Sequence, residues 1–111
     1  MATHNHTGSI WSNVTLGANR RSGPGTNFGV IDTLPAGTPL IVFCYSFGDT
    51  QSFTTPQGNT NTSAAWDFVV ISDQDSGGYV ADVLVDTGGD IVQQLGGQGT
   101  CAALPQRLAN P

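Results

Sequence analysis

The stretch Leu40-Ile41-Val42-Phe43-Cys44-Tyr45-Ser46-Phe47 most narrows what this chain can become. On an extended backbone Leu40, Val42 and Cys44 face one way, and Ile41, Phe43, Tyr45 and Phe47 face the other. Both faces are apolar, which is the pattern of a strand covered on both sides in the middle of a sheet. Competing helix signals are scarce. All eight acidic residues are aspartate, glutamate and lysine are absent, and 15 glycines stand among many Thr, Ser and Asn. These residues favour strands, turns and tight loops over helix interiors. A chain of 111 residues holds one core and one domain.

Other strands gather around this one. Ile10, Ser12, Val14, Leu16 and Ala18 alternate with Trp11, Asn13, Thr15 and Gly17, which predicts a strand after a polar arm of residues 1–9. The crowding of Gly, Pro, Asn and Ser in residues 19–27 predicts a structured loop. Residues 28–34 read as a short strand closed by a turn at Pro35-Ala36-Gly37-Thr38. From Gly48 to Ala65 the sequence is polar apart from Phe53 and a few small residues, and a long loop is expected. Trp66–Ile71 and Tyr79–Ala81 form a hairpin across an acidic turn, and residues 82–88 hold one helical or 3₁₀ turn. The expected fold is all-β: a small barrel of about five strands over residues 10–88, with a Gly-rich tail at 89–111.

Charge excludes some partners. A net charge of −5 with only Arg20, Arg21 and Arg107 as cations besides His speaks against nucleic acid, which is bound through clustered Lys and Arg. No apolar run approaches the roughly 20 residues that cross a bilayer, so membrane insertion is not expected. The opening residues Met1 to Thr7 lack the basic and apolar regions of a signal peptide. Export would then need another route or a leader already removed. Cys44 and Cys101 stand far outside metal-ligand spacing. They are either two buried thiols or a bridge, and the bridge is the preferred reading because it gives the weakly patterned tail an anchor. It implies an oxidising location, extracellular or on a particle surface.

The loop carries a resemblance. Ala18-Asn19-Arg20-Arg21-Ser22-Gly23-Pro24-Gly25-Thr26, then Val30-Ile31 and Leu34-Pro35-Ala36-Gly37-Thr38, resembles the bacterial SH3-like domain. Trp66, Gly78-Tyr79-Val80 and Val83-Leu84 agree with its later half, so the resemblance covers roughly residues 14 to 87. Arg20 stands where that family more often has an apolar residue, and Tyr79 where it more often has tryptophan. Cys44, the Thr/Asn-rich insert, Trp66-Asp67 and Cys101 make the chain similar to small secreted actinobacterial members. The resemblance implies an SH3-like barrel and a ligand such as an extended peptide or peptidoglycan fragment. The motif also has a physical reading. Gly23 and Gly25 around Pro24 permit a sharp reversal with positive φ, and Arg21 can donate to carbonyls that the turn leaves unpaired.

Catalysis is not expected, because a nucleophile, base and orienting group do not come together in the sequence. His4 and His6 lie in the arm and are read as solvated in preference to metal-binding. Asp73, Asp75 and Asp82 lack the spacing of a calcium loop and read as a solvated acidic turn. No cofactor is expected. Aromatic residues remain: Tyr45, Phe53, Trp66 and Tyr79 are the binding candidates, while Phe47 reads as core and Trp66 equally as core. Two functions stay open. One is a non-catalytic module for an extended peptide or wall component, the other a structural subunit of a virion or extracellular assembly held by neighbouring subunits.

Overall fold

A computed structural model describes residues 6–72, 74–89, 91–95 and 100–101. Seven strands follow in order: β1 His6–Ile10, β2 Ala18–Arg21, β3 Val30–Leu34, β4 Pro39–Thr54, β5 Thr60–Val70, β6 Gly78–Ala81 and β7 Val85–Asp86. A 3₁₀ turn at Asp82–Leu84 joins β6 to β7, and a five-residue helix α1, Ile91–Leu95, follows. The strands form one curled antiparallel half-barrel in the order β3-β2-β6-β5-β4-β1-β7. The all-β expectation holds, with seven strands in place of about five.

Local chemistry explains the frame. Pro35 to Thr38 is a tight turn, with Thr38 N–H donating to the Pro35 carbonyl at 3.1 Å. Gly37 supplies the φ of 80° that such a turn needs. Strand β4 pairs β5 along most of its length and β1 at its start, so the strand with two apolar faces lies inside the sheet. Ile10, Leu34, Leu40, Val42, Tyr45, Val69, Val80 and Val85 make the main core. Ile91 and Leu95, four apart on α1, lay one helix face on it.

Three expectations need correction. The strand expected over residues 10–18 is instead the end of β1 followed by two tight turns, closed by Val14 N–H to Trp11 O at 3.1 Å and Gly17 N–H to Val14 O at 2.9 Å. Leu16, expected to alternate with its neighbours, is 93% exposed. Part of the supposed polar arm pairs instead: His6 to Ser9 align with Pro39 to Val42. Residues 19–21, expected in the loop, belong to β2.

The polar stretch 48–65 is not a loop either. It is a projecting hairpin made from the end of β4 and the start of β5. Its turn closes through Gly58 N–H to Thr55 O at 2.9 Å and Thr55 N–H to Asn59 O at 2.8 Å, with Gly58 at φ 91°. That geometry belongs to a three-residue hairpin loop ending on a left-handed glycine. Hydroxyl pairs Ser52–Thr62 at 2.8 Å and Thr54–Thr60 at 2.9 Å bridge the strands. Both faces of this arm are largely polar, so no hydrophobic alternation marked it.

Candidate functional site

The motif loop docks on β4. Arg21 Nη1 donates to the Thr26 and Phe28 carbonyls at 3.2 and 2.9 Å, closing residues 22–28 into a ring. Asp49 accepts from Thr26 N–H at 2.8 Å, from Thr26 Oγ1 at 2.9 Å and from Gln51 Nε2 at 2.8 Å. The Thr26 backbone bond, against slight desolvation, holds the Asp49 carboxyl below its ordinary value. Gly48 lets the loop approach: a Cβ there would stand 1.8 Å from the Pro24 carbonyl oxygen. Gly23 and Gly25 do not take positive φ, contrary to the expectation. They are close-approach positions, since a Cβ on Gly23 would meet the Phe28 ring at 2.4 Å and one on Gly25 the Asp49 carboxylate at 2.9 Å.

The four aromatic candidates do not share a groove. Tyr45 is buried at 2% exposure and meets Phe47 edge-on at 5.6 Å between centroids. Phe47, expected in the core, is 61% exposed. A β-bulge between Val42 and Cys44 explains the first of these, because the extra residue moves the inward set from Leu40 and Val42 to Tyr45. Phe47 keeps the parity of Tyr45 and lies past the end of the core. Trp66 is buried, its indole N–H donating to the Asp49 carbonyl at 3.0 Å. Tyr79 is half-buried edge-on to Phe68 at 5.3 Å, and Phe53 packs between the two core clusters.

A different concavity is present. The hairpin tip and the start of β5 form one wall of an open trough of about 690 Å³; the 3₁₀ turn, β7 and residues 87–89 form the other. Thr55, Gln57, Asn59, Asn61, Ser63, Asp82 and Asp86 line it with Trp11. Asn13 Nδ2 donates to the Thr54 carbonyl at 2.9 Å and so ties the turn that carries Trp11 to the hairpin. Trp11, Gln57 and Asp86 also line a smaller hollow of about 220 Å³. Sequence reasoning did not find this site, because it joins three segments far apart in the chain. The one available signal was Pro56-Gln57-Gly58, which marks a hairpin turn and hence two walls.

The acidic candidates separate. Asp75 bonds Arg20 and caps the Ile71 and Gly77 N–H groups at 2.9 and 3.0 Å. Asp73 and His4 lie outside the described residues, as do most of the tail and Arg107. His6 is not solvated: its Nε2–H donates to the Thr87 carbonyl at 2.7 Å. Asp82 begins the 3₁₀ turn and faces Asp67, which is fully buried on β5. Burial, then the hydrogen bond and the charge of Asp82, push the Asp67 carboxyl well above its ordinary range. Among the described residues no group of three His, Cys, Asp or Glu side chains could hold a metal.

The pair makes stability depend on pH. With a folded value above the unfolded one, Asp67 keeps its proton in the fold at pH values where the unfolded chain has released it. The contribution of Asp67 is therefore fully present below about pH 3.8 and is lost as pH rises through the folded value. Asp67→Asn cannot ionise and retains a donor for Asp82. The variant is expected to match the parent near pH 4 and to exceed it by about 1–3 kcal/mol at pH 8, on the scale of an ill-compensated buried polar group. Urea unfolding at both pH values measures this, and a gap that does not widen with pH refutes it.

No family model and no solved structure matches the chain. It is similar to two proteins of Bacillus subtilis (strain 168), named Uncharacterized protein YraI and Uncharacterized protein YraJ, at 37% and 39% identity over 75 residues. That stretch covers 65% of this chain and 59% of each relative, so the match spans less than two thirds of their length.

Proposed function

We propose that this chain is a non-catalytic binding module of the bacterial SH3-like kind, taking an extended peptide or a cell-wall component in an oxidising, extracellular setting. The trough carries this reading: it is open, holds about 690 Å³ and is walled by side chains that can hydrogen-bond. Its described lining contains no histidine and no cysteine, which supports binding over nucleophilic chemistry. The motif at residues 18–26 supports the family reading, and the Cys44–Cys101 disulfide supports the location.

A second reading has its own observation. Strand β3 is an edge of the sheet, and Phe28, Val30 and Ile31 expose 40%, 49% and 52% of their surface there. An apolar, unpaired edge suits addition of a neighbouring strand, as in a subunit of a virion or other assembly. Sedimentation with purified insoluble peptidoglycan separates the two. The module is expected to pellet with the wall and to stay monomeric on size exclusion. Absence from the pellet at every salt concentration refutes the module, and concentration-dependent oligomers alongside that result favour the subunit.

A further inference from the structure

Resting on the binding-module reading, we propose that the trough between the hairpin tip and residues 82–89 is a site for a neutral, hydroxyl-rich oligosaccharide and not for a peptide. The chemistry of the walls decides the class. Gln57, Asn59 and Asn61 are exposed, line the trough, and take no side-chain hydrogen-bond partner among the described residues. Each amide offers a donor and an acceptor side by side, the complement of adjacent sugar hydroxyls. The hydroxyls nearby are already engaged: Thr60 with Thr54, Thr62 with Ser52, and Thr87 with the Gly89 carbonyl at 3.0 Å. The amides are thus the lining groups whose donor and acceptor are both without a partner among the described residues. Half-buried Trp11 supplies the aromatic surface on which the apolar face of a pyranose ring can lie.

Other ligand classes fit less well. An anionic ligand would meet Asp82 and Asp86 and no Arg, Lys or His in the described lining. A cationic ligand would find Asp82 already bonded to Asp67 and Asp86 accepting the Gly88 N–H at 3.1 Å. Peptide recognition relies on pockets for alternate side chains. Here Val83 and Val85 are only 4% and 5% exposed, which leaves Trp11 as the main apolar surface.

The test is a ¹⁵N NMR titration of the whole chain with two neutral hexasaccharides, cellohexaose and the N-acetylglucosamine hexamer, and with an uncharged Gly/Ala hexapeptide. At least one hexasaccharide is expected to shift the side-chain amides of Gln57, Asn59 and Asn61 and the Trp11 indole, and the peptide is not. The Gln57→Ala/Asn61→Ala variant is expected to bind at least tenfold more weakly. Both positions are exposed, so folding is not at issue; Trp11→Ala serves as the second variant, checked for fold by its spectrum. Shifts from the peptide alone, shifts confined to other surfaces, an unaffected double variant, or no response to either sugar overturn the assignment. If the protein still sediments with peptidoglycan in those cases, the module reading stands and only the glycan assignment falls. If sedimentation fails too, both fall.

Discussion

Replacing Arg20 by methionine is expected to cost about 3 kcal/mol of stability at neutral pH. Arg20 is 3% exposed on β2, yet it is fully ionised, and three elements converge on it. Nε and Nη2 donate in parallel to the two Asp32 oxygens at 2.9 and 2.7 Å. Nη1 donates to Asp75 and, at 3.4 Å, to the Val69 carbonyl. The Asp32 bonds first, against the desolvation of burial and with help from Asp75, raise the guanidinium above its already high ordinary value. Removing one member of a buried ion pair costs about 3–5 kcal/mol, chiefly because the partners lose their counter-charge. The low end applies because the Asp32 side chain is 42% exposed and can rehydrate, while Asp75 keeps two backbone donors.

The same variant should change the pH dependence in acid. Burial alone would raise Asp75, but Arg20 and the Gly77 and Ile71 N–H groups together bring it below its ordinary value. A carboxyl held low stabilises above the unfolded value near 3.8 and loses that contribution as pH falls through the folded one. Without Arg20 the balance moves back toward burial, so this acid-sensitive contribution is gone and the stability gap between parent and variant should narrow as pH falls through the folded value. Urea unfolding at neutral pH and again in acid, below the ordinary carboxylate value, measures both effects. A loss under about 1 kcal/mol at neutral pH, with a gap that does not narrow in acid, would show the site to be well compensated without its cation.

Arg20 also illustrates what the sequence could and could not reveal. Its position in a motif where apolar residues are more usual marked an exception, but the two carboxylates come from β3 and from the turn after β5, 12 and 55 residues away. Pairing across a sheet depends on register, and register cannot be read from one strand. The Pro35–Thr38 turn was legible because its chemistry is local. Tyr45 was misplaced for the opposite reason: one bulge at Val42/Cys44 turns it inward, and nothing in the apolar run itself announces a bulge, while Phe47, of the same parity, is exposed because it lies past the end of the core. The hairpin arm was hidden because period-two reasoning needs one apolar face, whereas its strands are bridged by Thr and Ser pairs and only Phe53 among its side chains is a large apolar one. The trough inherits that blindness, since one of its walls is the arm.

Removing the disulfide by Cys44→Ala/Cys101→Ala is expected to lower stability by about 4 kcal/mol, as the loop-closure model gives for a bridge across 57 positions. The closed loop contains most of β4, all of β5, β6 and β7, and α1. Within it the local contacts differ in strength. Strands β4 and β5 pair over ten registered positions, whereas the segment at Thr100 and Cys101 meets β4 through one bridge to Tyr45 and a 2.7 Å bond from Cys101 N–H to the Tyr45 carbonyl. Helix α1, at five residues, is far too short to persist without tertiary contacts. The loss should therefore be uneven. Amide exchange in the variant should rise first in residues 91–95, as Ile91 and Leu95 leave the core, while the β4–β5 ladder keeps more of its protection. Equal loss of protection in both would mean that α1 opens only with the whole sheet, and a cost under about 1 kcal/mol would mean that the bridge adds little. The expected pattern would instead make the tail's attachment depend on an oxidising setting, and reduction of the parent protein should reproduce it without any substitution.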